Sequence, residues 1–331
     1  MKLKIGLLGV GHLGEIHLRC IQSLDIYDLV GFYDPDDSKS AQIIEKYGVH
    51  RFSSEMELMA AVEVVDIVTP TVEHFALAKM AIEQGKHLFI EKPMCHTLEE
   101  ARKLLELEKK YDVKIQIGHV ERFNPALLAM KNTPIAPMFI EAHRLAVFNP
   151  RGTDVSVIHD LMIHDLDIIL SWVPYPIKYV SASGVAVVSS TPDIANARIE
   201  FENGCVANLT ASRISMKQMR KVRLFQRDAY ISLDFLDKQA QIVRLYNKDA
   251  SDIPTDVAMM ELETNSGTKM IHVEMPKSEP VNAIQMELQS LANSILQDTP
   301  TAVPAQDGLR ALELAYRIIE QIEERRENFV L

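Results

Sequence analysis

The sequence has few of the features that mark several classes of protein. Its three cysteines, Cys20, Cys95 and Cys205, are far apart and form no C-x-x-C pair. This spacing argues against a disulfide framework or a zinc cluster and favours a reducing compartment. No apolar run approaches the ~18 residues that a membrane-spanning helix needs. The first apolar run is broken at Gly9 and Gly11 and has no small-residue cleavage site after it. A cytoplasmic location is therefore expected.

Positive charge is also scarce. Lys and Arg number 35 against 46 Asp and Glu, so the net charge is 35 − 46 = −11. Nucleic acids and anionic membranes are recognised by clustered positive charge, so neither is expected as a partner. The 331 residues, 47% of them hydrophobic, suit a globular chain of about two domains at roughly 150 residues per domain.

Short apolar runs alternate with helical patterns in residues 1–120. The predicted strands are 3–8, 29–33, 64–68, 87–90 and 113–117, with helices at 76–84 and 97–110. The second helix opens with a capping box, Thr97 and Glu100. Apolar strands that alternate with helices form a parallel sheet covered on both faces. The pattern predicts an α/β, doubly wound first domain over residues 1–120.

The pattern changes in residues 121–331. A strand at 139–147 and a helix at 157–172 precede six strand candidates: 177–188, 195–201, 205–212, 221–226, 230–233 and 241–246. Asn203-Gly204 is a strong hairpin signal. Residues 249–267 are expected to form a loop, followed by helices at 281–296 and 305–325. The pattern predicts an α+β domain with a large, mostly antiparallel sheet and flanking helices. The last helix is expected to pack back on the first domain.

A glycine-rich motif follows the first strand. Gly9-Val10-Gly11-His12-Leu13-Gly14 has the G-x-G-x-x-G spacing, and Asp34 ends the second predicted strand 20 residues after Gly14. Such glycines allow a tight turn and close approach of a pyrophosphate to a helix N-terminus, while the acidic residue binds ribose hydroxyls. The motif therefore predicts a dinucleotide site. A purely structural turn with a solvated aspartate is the alternative.

The residues around Asp34 indicate which dinucleotide is bound. Asp34 and the following Asp36 and Asp37 would repel a 2′-phosphate, and no arginine lies in that turn to bind one. The sequence therefore predicts NAD as the cofactor rather than NADP.

Three further motifs occur downstream: Thr69-Pro70-Thr71-Val72-Glu73-His74, Glu91-Lys92-Pro93, and Asp160 four residues before His164. In their order and spacing they resemble the Gfo/Idh/MocA family of pyridine-nucleotide oxidoreductases, over nearly the whole chain. The resemblance implies a Rossmann domain followed by a substrate-binding and oligomerisation domain, assembled as a homodimer or homotetramer. It implies no metal.

The resemblance also suggests roles for these residues. Lys92 is expected to hold the substrate hydroxyl, His164 to act as base, and Asp160 to orient the imidazole or pair with Lys92. Thr69, Pro70, His74 and Glu91 are expected to line the cofactor cleft together with Lys92. The alternatives are a solvated lysine and a structural Asp–His pair, with His159 and Asp165 as structural neighbours.

A narrower likeness lies in Gly118-His119-Val120-Glu121-Arg122-Phe123-Asn124-Pro125, which looks like the branch of that family that includes UDP-N-acetylglucosamine 3-dehydrogenases. His119, Arg122 and Asn124 are the resulting substrate-binding candidates. Arg122 could clamp a phosphate or carboxylate, with a salt bridge between domains as the alternative. Arg144 and Arg151 are further cationic candidates, for which surface positions are predicted.

These expectations converge on an NAD-dependent dehydrogenase that acts on a secondary hydroxyl of a sugar, a nucleotide sugar or a cyclitol. UDP-N-acetylglucosamine is the leading substrate hypothesis, and an inositol or free sugar is the alternative. A non-catalytic NAD-binding regulator on the same scaffold is the alternative from another class.

Overall fold

The structure is a computed structural model that describes residues 2–149, 155–248, 258–265, 267–277 and 279–328. These residues form two compact units. The first combines the chain up to Phe123 with Asn282–Glu313, and the second combines Asn124–Val281 with the residues from Leu314 onward. Among the described residues, no helix has both the length and the apolar content to cross a bilayer.

The described strands form one sheet in each unit, with five and nine strands. They are β1 Leu3–Leu8, β2 Tyr27–Tyr33, β3 Val64–Ile67, β4 His87–Glu91, β5 Ile115–Gly118, β6 Phe139–Leu145, β7 Ile177–Val185, β8 Ile194–Phe201, β9 Val206–Ser212, β10 Met219–Phe225, β11 Ala229–Asp234, β12 Gln239–Asn247, β13 Met260–Thr264 and β14 Gly267–Glu274.

The described α-helices are α1 His12–Gln22, α2 Asp37–Tyr47, α3 Glu55–Ala61, α4 Thr71–Glu83, α5 Leu98–Tyr111, α6 Pro125–Leu128, α7 Ile163–Trp172, α8 Ala283–Leu296 and α9 Ala305–Asn328. A 3-10 turn spans Val120–Phe123 and a π-helix spans Ile158–Met162. The boundary between the two units falls inside α9.

The first unit is a Rossmann fold, as the sequence predicts. Its sheet has the order β2-β1-β3-β4-β5, and every neighbouring pair is parallel. The predicted capping box of α5 is present: the Thr97 hydroxyl accepts from the Glu100 N–H at 3.2 Å, and the Glu100 carboxylate accepts from the Thr97 N–H at 3.0 Å. Apart from the edge strand β2, the strands are almost wholly buried, which explains their near-continuous runs of Val, Ile and Leu.

A late segment of the chain completes this core. Helix α8 packs with α1 against the sheet, and Leu288, Leu291 and Ala292 share a buried cluster with residues of β1, β3 and β4. The Tyr27 hydroxyl donates to the backbone oxygen of Leu288 at 2.8 Å. A parallel sheet needs cover on both faces, so residues 282–313 belong to the first unit although they follow the second unit in sequence.

The second unit contains the large sheet, in the order β13-β14-β12-β11-β10-β6-β9-β8-β7. Only the β6–β9 pair is parallel among its described strands. This confirms the mostly antiparallel α+β prediction. Asn203-Gly204 forms the turn between β8 and β9, with Gly204 at φ 84°.

Two sequence expectations are wrong in this unit. Part of the expected loop at 249–267 forms β13 and the start of β14, while 249–257 and Ser266 lie outside the described residues. Most β13 side chains are exposed, so this strand lacks the apolar alternation that marks a half-buried strand.

The second wrong expectation is a surface position for Arg144, which is buried. Its Nε and Nη2 donate to the Asp165 carboxylate at 3.0 and 2.8 Å, and this pair connects β6 to α7. Arg151 lies outside the described residues.

The predicted helix at 157–172 is present but begins as a π-helix at Ile158–Met162 and continues as α7. π-turns are rare and are frequent at functional sites. The segment before it is held by Arg213, which donates to the backbone oxygens of Val155 and Pro192. The N–H of Val157 also donates to the Pro192 oxygen at 3.1 Å.

Asp193 anchors this network. It is fully buried, and its Oδ2 accepts from the N–H groups of Val187, Val188 and Ser189 at 2.7, 2.7 and 3.0 Å. Burial by itself would raise the pKa of Asp193. The contacts with Ser189 and the backbone N–H groups outweigh burial and hold the pKa well below its usual range.

We therefore expect Asp193→Asn to lower the free energy of unfolding by about 2 kcal/mol at pH 7, because a charge-assisted acceptor is lost. A carboxyl with a lowered pKa stabilises the fold above its unfolded-state pKa, about 3.9, and loses that effect as the pH falls. In denaturant titrations the difference between variant and wild type should stay constant above about pH 5 and shrink as the pH falls toward 3. Glu202→Gln, at an exposed position, is the control. A difference independent of pH would contradict this account.

Candidate active site

A cavity of about 740 Å³ lies where the first four strands of the parallel sheet end. Its wall includes the residues that follow each strand: Gly9 after β1, Asp34 after β2, Thr69 after β3 and Lys92 after β4. Open parallel sheets bind their ligands at this edge, at the carboxyl ends of the strands. The structure thus brings together most of the predicted cofactor-binding residues.

The three glycines of the motif occupy different environments. Gly9 has φ 89°, and a Cβ there would lie 2.7 Å from the Val68 backbone oxygen. A Cβ at Gly14 would lie 2.1 Å from the Gly9 oxygen, so this glycine is needed for packing. Gly11 differs, because a Cβ there would meet no atom within 4 Å. Gly11 lines the cavity, so the empty space beside it is space for a ligand.

Helix α1 begins beside Gly11 and points its N-terminus at the cavity. Gly11 is the N-cap, and no side chain caps the helix. His12 and Leu13 are exposed and line the cavity. An uncapped N-terminus offers unpaired backbone N–H groups and a favourable dipole to an anion such as a pyrophosphate.

Asp34 is held firmly at the cavity. Its Oδ2 accepts from the Val10 N–H at 2.8 Å and its Oδ1 from the Asp36 N–H at 2.9 Å. A carboxylate has about four acceptor sites, so capacity remains for two ribose hydroxyls. Sequence reasoning missed Arg51, which lies outside that turn in the chain but donates to the Asp34 backbone oxygen and pairs with Asp37, both at 2.8 Å. The bridge between Phe32 and Arg51 places it there, a contact that local sequence does not reveal.

The segment after β3 adds a hydroxyl and a turn. Thr69 and Pro70 line the cavity, and Thr69 Oγ1 is buried without a hydrogen-bond partner in the described structure. His74, also predicted to line the cleft, is not among the cavity residues. Its Nε2 lies 2.9 Å from the Thr69 oxygen and its Nδ1 3.0 Å from the Pro93 oxygen. His74 thus supports the two loops that shape the wall.

Glu91 ends β4 and Lys92 follows it, both at the cavity, and the Lys92–Pro93 peptide is cis. Glu91 is only 7% exposed, and its Oε2 accepts from the Lys92 backbone N–H at 3.0 Å. Gly118 of β5 passes so close that a Cβ there would lie 2.8 Å from Glu91 Oε1. Glu91 therefore supports the backbone that presents Lys92.

Sequence reasoning missed a buried group behind Glu91. His17 of α1 lies between Asp66 and Glu91, with contacts of 2.9 and 3.2 Å, and Glu287 of α8 lies nearby. A charged residue inside the apolar strand Val64–Ile67 was the available signal for Asp66, because buried carboxylates are rare without partners. Nothing local marked Glu287, whose neighbours come from elements more than 150 residues away.

The substrate candidates at 119–124 have structural contacts. His119 is buried, and Arg122 Nη2 lies 3.2 Å from Asp307 Oδ2, inside the first unit. Asn124 caps α6, since its Oδ1 accepts from the Ala126 N–H at 3.0 Å and its Nδ2 donates to the Phe235 oxygen at 3.0 Å. Substrate binding by these residues stays a prediction.

The second unit carries the other two catalytic candidates. Asp160 lies in the π-helix and His164 in the first turn of α7, and both are half-buried. The buried Arg144–Asp165 pair fixes the same helix to β6. His159 packs its ring against Tyr316, with centroids 5.0 Å apart. The helix that carries Asp160 and His164 is therefore rigidly placed within its unit.

The residues of the first unit fit a dinucleotide. The open space at Gly11, the uncapped end of α1, the Asp34 carboxylate and the unpartnered Thr69 hydroxyl all belong to one wall. They supply what a pyrophosphate and a ribose require.

Comparison with known families agrees with this geometry. Residues 3–119 match the model described as "Oxidoreductase family, NAD-binding Rossmann fold", and residues 141–231 match the model described as "GFO/IDH/MocA C-terminal domain".

The relatives include a nucleotide-sugar dehydrogenase and inositol dehydrogenases. The chain is 34% identical over 322 residues, 97% of each chain, to UDP-N-acetylglucosamine 3-dehydrogenase of Acidithiobacillus ferrooxidans, whose solved structure matches with a TM-score of 0.87 over 98% of both chains. It is 28% identical over 65% of its length, and 68% of the relative, to scyllo-inositol 2-dehydrogenase (NAD(+)) of Bacillus subtilis. A Lactobacillus casei scyllo-inositol dehydrogenase solved with NAD(H) and scyllo-inositol matches with a TM-score of 0.76 and 20% identity over 98% of both chains, which shows a shared fold.

The glycines give a matched pair of variants. We expect Gly11→Ala to leave the melting temperature unchanged and to weaken NAD⁺ binding at least tenfold, because its Cβ would enter the space left for the ligand. Gly14→Ala should lower the free energy of unfolding by about 2 kcal/mol through overpacking against Gly9. Calorimetric titration and thermal unfolding test both variants. NAD⁺ binding by Gly11→Ala at wild-type affinity would contradict the location of the pyrophosphate.

The Asp34 carboxylate should set the cofactor preference. We expect wild-type kcat/KM to be at least about 100-fold higher with NAD⁺ than with NADP⁺, since a 2′-phosphate would face a buried negative charge. Asp34→Asn should lower the ratio of kcat/KM with NAD⁺ to kcat/KM with NADP⁺ at least tenfold, because Arg51 could then approach the 2′-phosphate. Asp28→Asn removes a charge elsewhere on β2 and is the control. Comparable efficiency of the wild type with both cofactors would refute the assignment.

Proposed function

This chain belongs to the Gfo/Idh/MocA family of oxidoreductases, and we propose that it catalyses NAD-dependent hydride transfer at a secondary hydroxyl of a UDP-N-acetylglucosamine-like nucleotide sugar. The main support for hydride transfer is that Gly11, Asp34 and Lys92 line the same cavity. The nucleotide-sugar substrate is supported by the 34% identity over 97% of the chain to an enzyme named for that substrate.

When bound, NAD⁺ accepts the hydride. Lys92, at the end of β4, donates a hydrogen bond to the reacting hydroxyl and stabilises the developing alkoxide. His164 takes the hydroxyl proton, a role that suits a side chain whose ordinary pKa is near neutral. Asp160, four residues earlier on the same helical segment, orients the imidazole. Glu91 holds the Lys92 backbone, and Gly11, Asp34 and Thr69 in the cavity wall would hold the cofactor.

Arg122 is the proposed diphosphate contact. Its guanidinium has five donors, so it can retain Asp307 and still donate to a phosphate. His119 and Asn124 complete the proposed substrate-binding set. An inositol or free-sugar dehydrogenase is the second candidate, favoured by the similarity to a scyllo-inositol 2-dehydrogenase (NAD(+)) and to a myo-inositol 2-dehydrogenase. The regulator hypothesis is weaker, since Lys92, Asp160 and His164 are all present.

We also propose that the enzyme works in the cytoplasm as a homodimer or homotetramer, with its two domains dividing near residue 120. The three buried free cysteines are compatible with a reducing compartment. Exposed apolar side chains on and beside strands of the large sheet, among them Val185, Val187, Val188 and Ile194, offer a surface for self-association.

A substrate panel tests the function. The purified protein is incubated with NAD⁺ and UDP-sugars, free sugars or inositols, with and without 2-oxoglutarate, and NADH is followed at about 340 nm. We expect turnover confined to UDP-N-acetylhexosamines. Lys92→Met and His164→Ala should each lower kcat/KM by about 10³-fold, as expected for loss of a positioned acid–base group, and should retain NAD⁺ binding. Lys79→Met, at an exposed position, is the control.

The alternatives give different results. Turnover of inositols or free sugars alone would retain the hydride chemistry and contradict the nucleotide-sugar substrate. Arg122→Ala should raise KM for the UDP-sugar and not for a free sugar. NAD⁺ binding without turnover across the panel would favour the regulator.

A further inference from the structure

Four ionisable side chains from four elements meet behind the cavity wall. They are His17 of α1, Asp66 of β3, Glu91 of β4 and Glu287 of α8. His17, Asp66 and Glu287 are fully buried, and Glu91 alone reaches the cavity. Burying ionisable groups is unfavourable unless they are paired. The cluster therefore needs a physical explanation beyond packing.

His17 links two carboxylates. Its Nδ1 lies 2.9 Å from Asp66 Oδ2, and its Nε2 lies 3.2 Å from Glu91 Oε1. Burial opposes a charge on the imidazole, but Asp66 and Glu91 outweigh burial and raise the pKa of His17 well above its ordinary value. The position of the ring between two carboxylates favours the imidazolium form of His17. The other Glu91 oxygen accepts from the Lys92 N–H, so Glu91 connects the cluster to the candidate catalytic lysine.

Glu287 has no such partner in the described structure. Both of its carboxyl oxygens are buried and make no hydrogen bond. One of them lies within 4.8 Å of both His17 and Glu91. Its backbone oxygen accepts from Gln116 Nε2 at 2.6 Å, which fixes this turn of α8 against β5. A side-chain rotation or one bridging water would connect the carboxyl group to Glu91.

Charge balance determines the state of Glu287. The titratable groups that act on the cluster are Cys20 of α1, Tyr27 of β2, His74 of α4 and Lys92 directly after β4. Burial raises the pKa of the Cys20 thiol and of Tyr27 and lowers the pKa of His74, so these three are neutral near pH 7. The cations are then His17 and Lys92, and they balance Asp66 and Glu91. Burial raises the pKa of Asp66, but its 2.9 Å contact with His17 favours the carboxylate form. An ionised Glu287 would be a third, uncompensated carboxylate.

We propose that Glu287 is a positioning residue of the hydride-transfer site: as a neutral carboxylic acid it donates a hydrogen bond to Glu91 and so fixes the carboxylate that holds Lys92. The proposal rests on the proposed function for its catalytic consequence, and on the cluster geometry for the state of Glu287. Burial, followed by the charge of Glu91, raises the pKa of Glu287 well above its ordinary value, in agreement with the neutral form.

Infrared difference spectroscopy tests the protonation state directly. We expect wild-type protein at pH 7 to show a C=O band of a buried neutral carboxylic acid that is absent from Glu287→Gln. No loss of such a band would overturn the proposal. So would a stoichiometric divalent metal in the purified protein, measured by elemental analysis, since a metal bound by His17, Glu91 and Glu287 would require ionised carboxylates.

The pH dependence of stability is a second measurement. A carboxyl with a raised pKa binds more protons in the folded state, so its contribution is full below the unfolded-state pKa, about 4.3, and is lost as the pH rises through the folded-state pKa. Glu287→Gln cannot ionise. The melting temperature of the wild type should therefore fall relative to that of Glu287→Gln from pH 5 to pH 9. A constant difference would contradict a neutral Glu287.

Kinetics test the positioning role. Glu287→Gln retains a neutral donor and should keep kcat within about twofold of wild type. Glu287→Leu has no donor and should lower kcat about tenfold with less than twofold change in KM for NAD⁺. Gln289→Leu, a similar replacement on the same helix, is the control. If Glu287→Gln loses as much kcat as Glu287→Leu, the donor role is wrong.

A wild type that turns over no sugar would contradict the proposed function. The infrared and stability measurements would still decide the protonation state of Glu287.

Discussion

Parallel pairing of the first five strands is the constraint on which the site depends. Because β2, β1, β3, β4 and β5 run in one direction, their carboxyl ends meet at one edge. Gly9, Asp34, Thr69 and Lys92 are separated by up to 83 positions in the sequence, from 9 to 92, yet all line one cavity. A parallel sheet also needs cover on both faces. That second requirement brings α8, from near the end of the chain, into the core of the first unit.

The return of α8 has a chemical consequence. The same helix that contributes Leu288 and Leu291 to the core places Glu287 beside His17 and Glu91. The buried group therefore combines elements that close the fold with Glu91, which lines the cavity. Support for the Lys92 backbone comes from Glu91, and support for the loops before and after it comes from His74. Hydride transfer requires a donor and an acceptor at a fixed separation, so the backbone around Lys92 must be held rigidly.

The second unit holds the other two catalytic candidates in place. Asp160 and His164 lie on one helical segment, which starts as a π-helix. Two buried ion-pair networks hold that segment: Arg144 with Asp165 from within α7, and Arg213 with Asp193 at the residues that precede the π-helix. Sequence patterns located the helix but predicted neither network, because both join residues that are distant in the chain.

Much of the fold could be predicted from local patterns. Three features depend only on neighbours in sequence and could therefore be recognised from the sequence alone. They are the buried runs of Val, Ile and Leu, the capping box of Thr97 and the Asn203-Gly204 turn. The glycine motif with Asp34 and the downstream motifs predicted an NAD-binding oxidoreductase, and the family comparison agrees. Only tertiary structure decided that Arg51 stands beside Asp34, that His74 supports the wall instead of lining it, and that Glu287 meets His17. These contacts join residues dozens to hundreds of positions apart, and a long-range contact between single polar residues leaves no periodicity in the sequence.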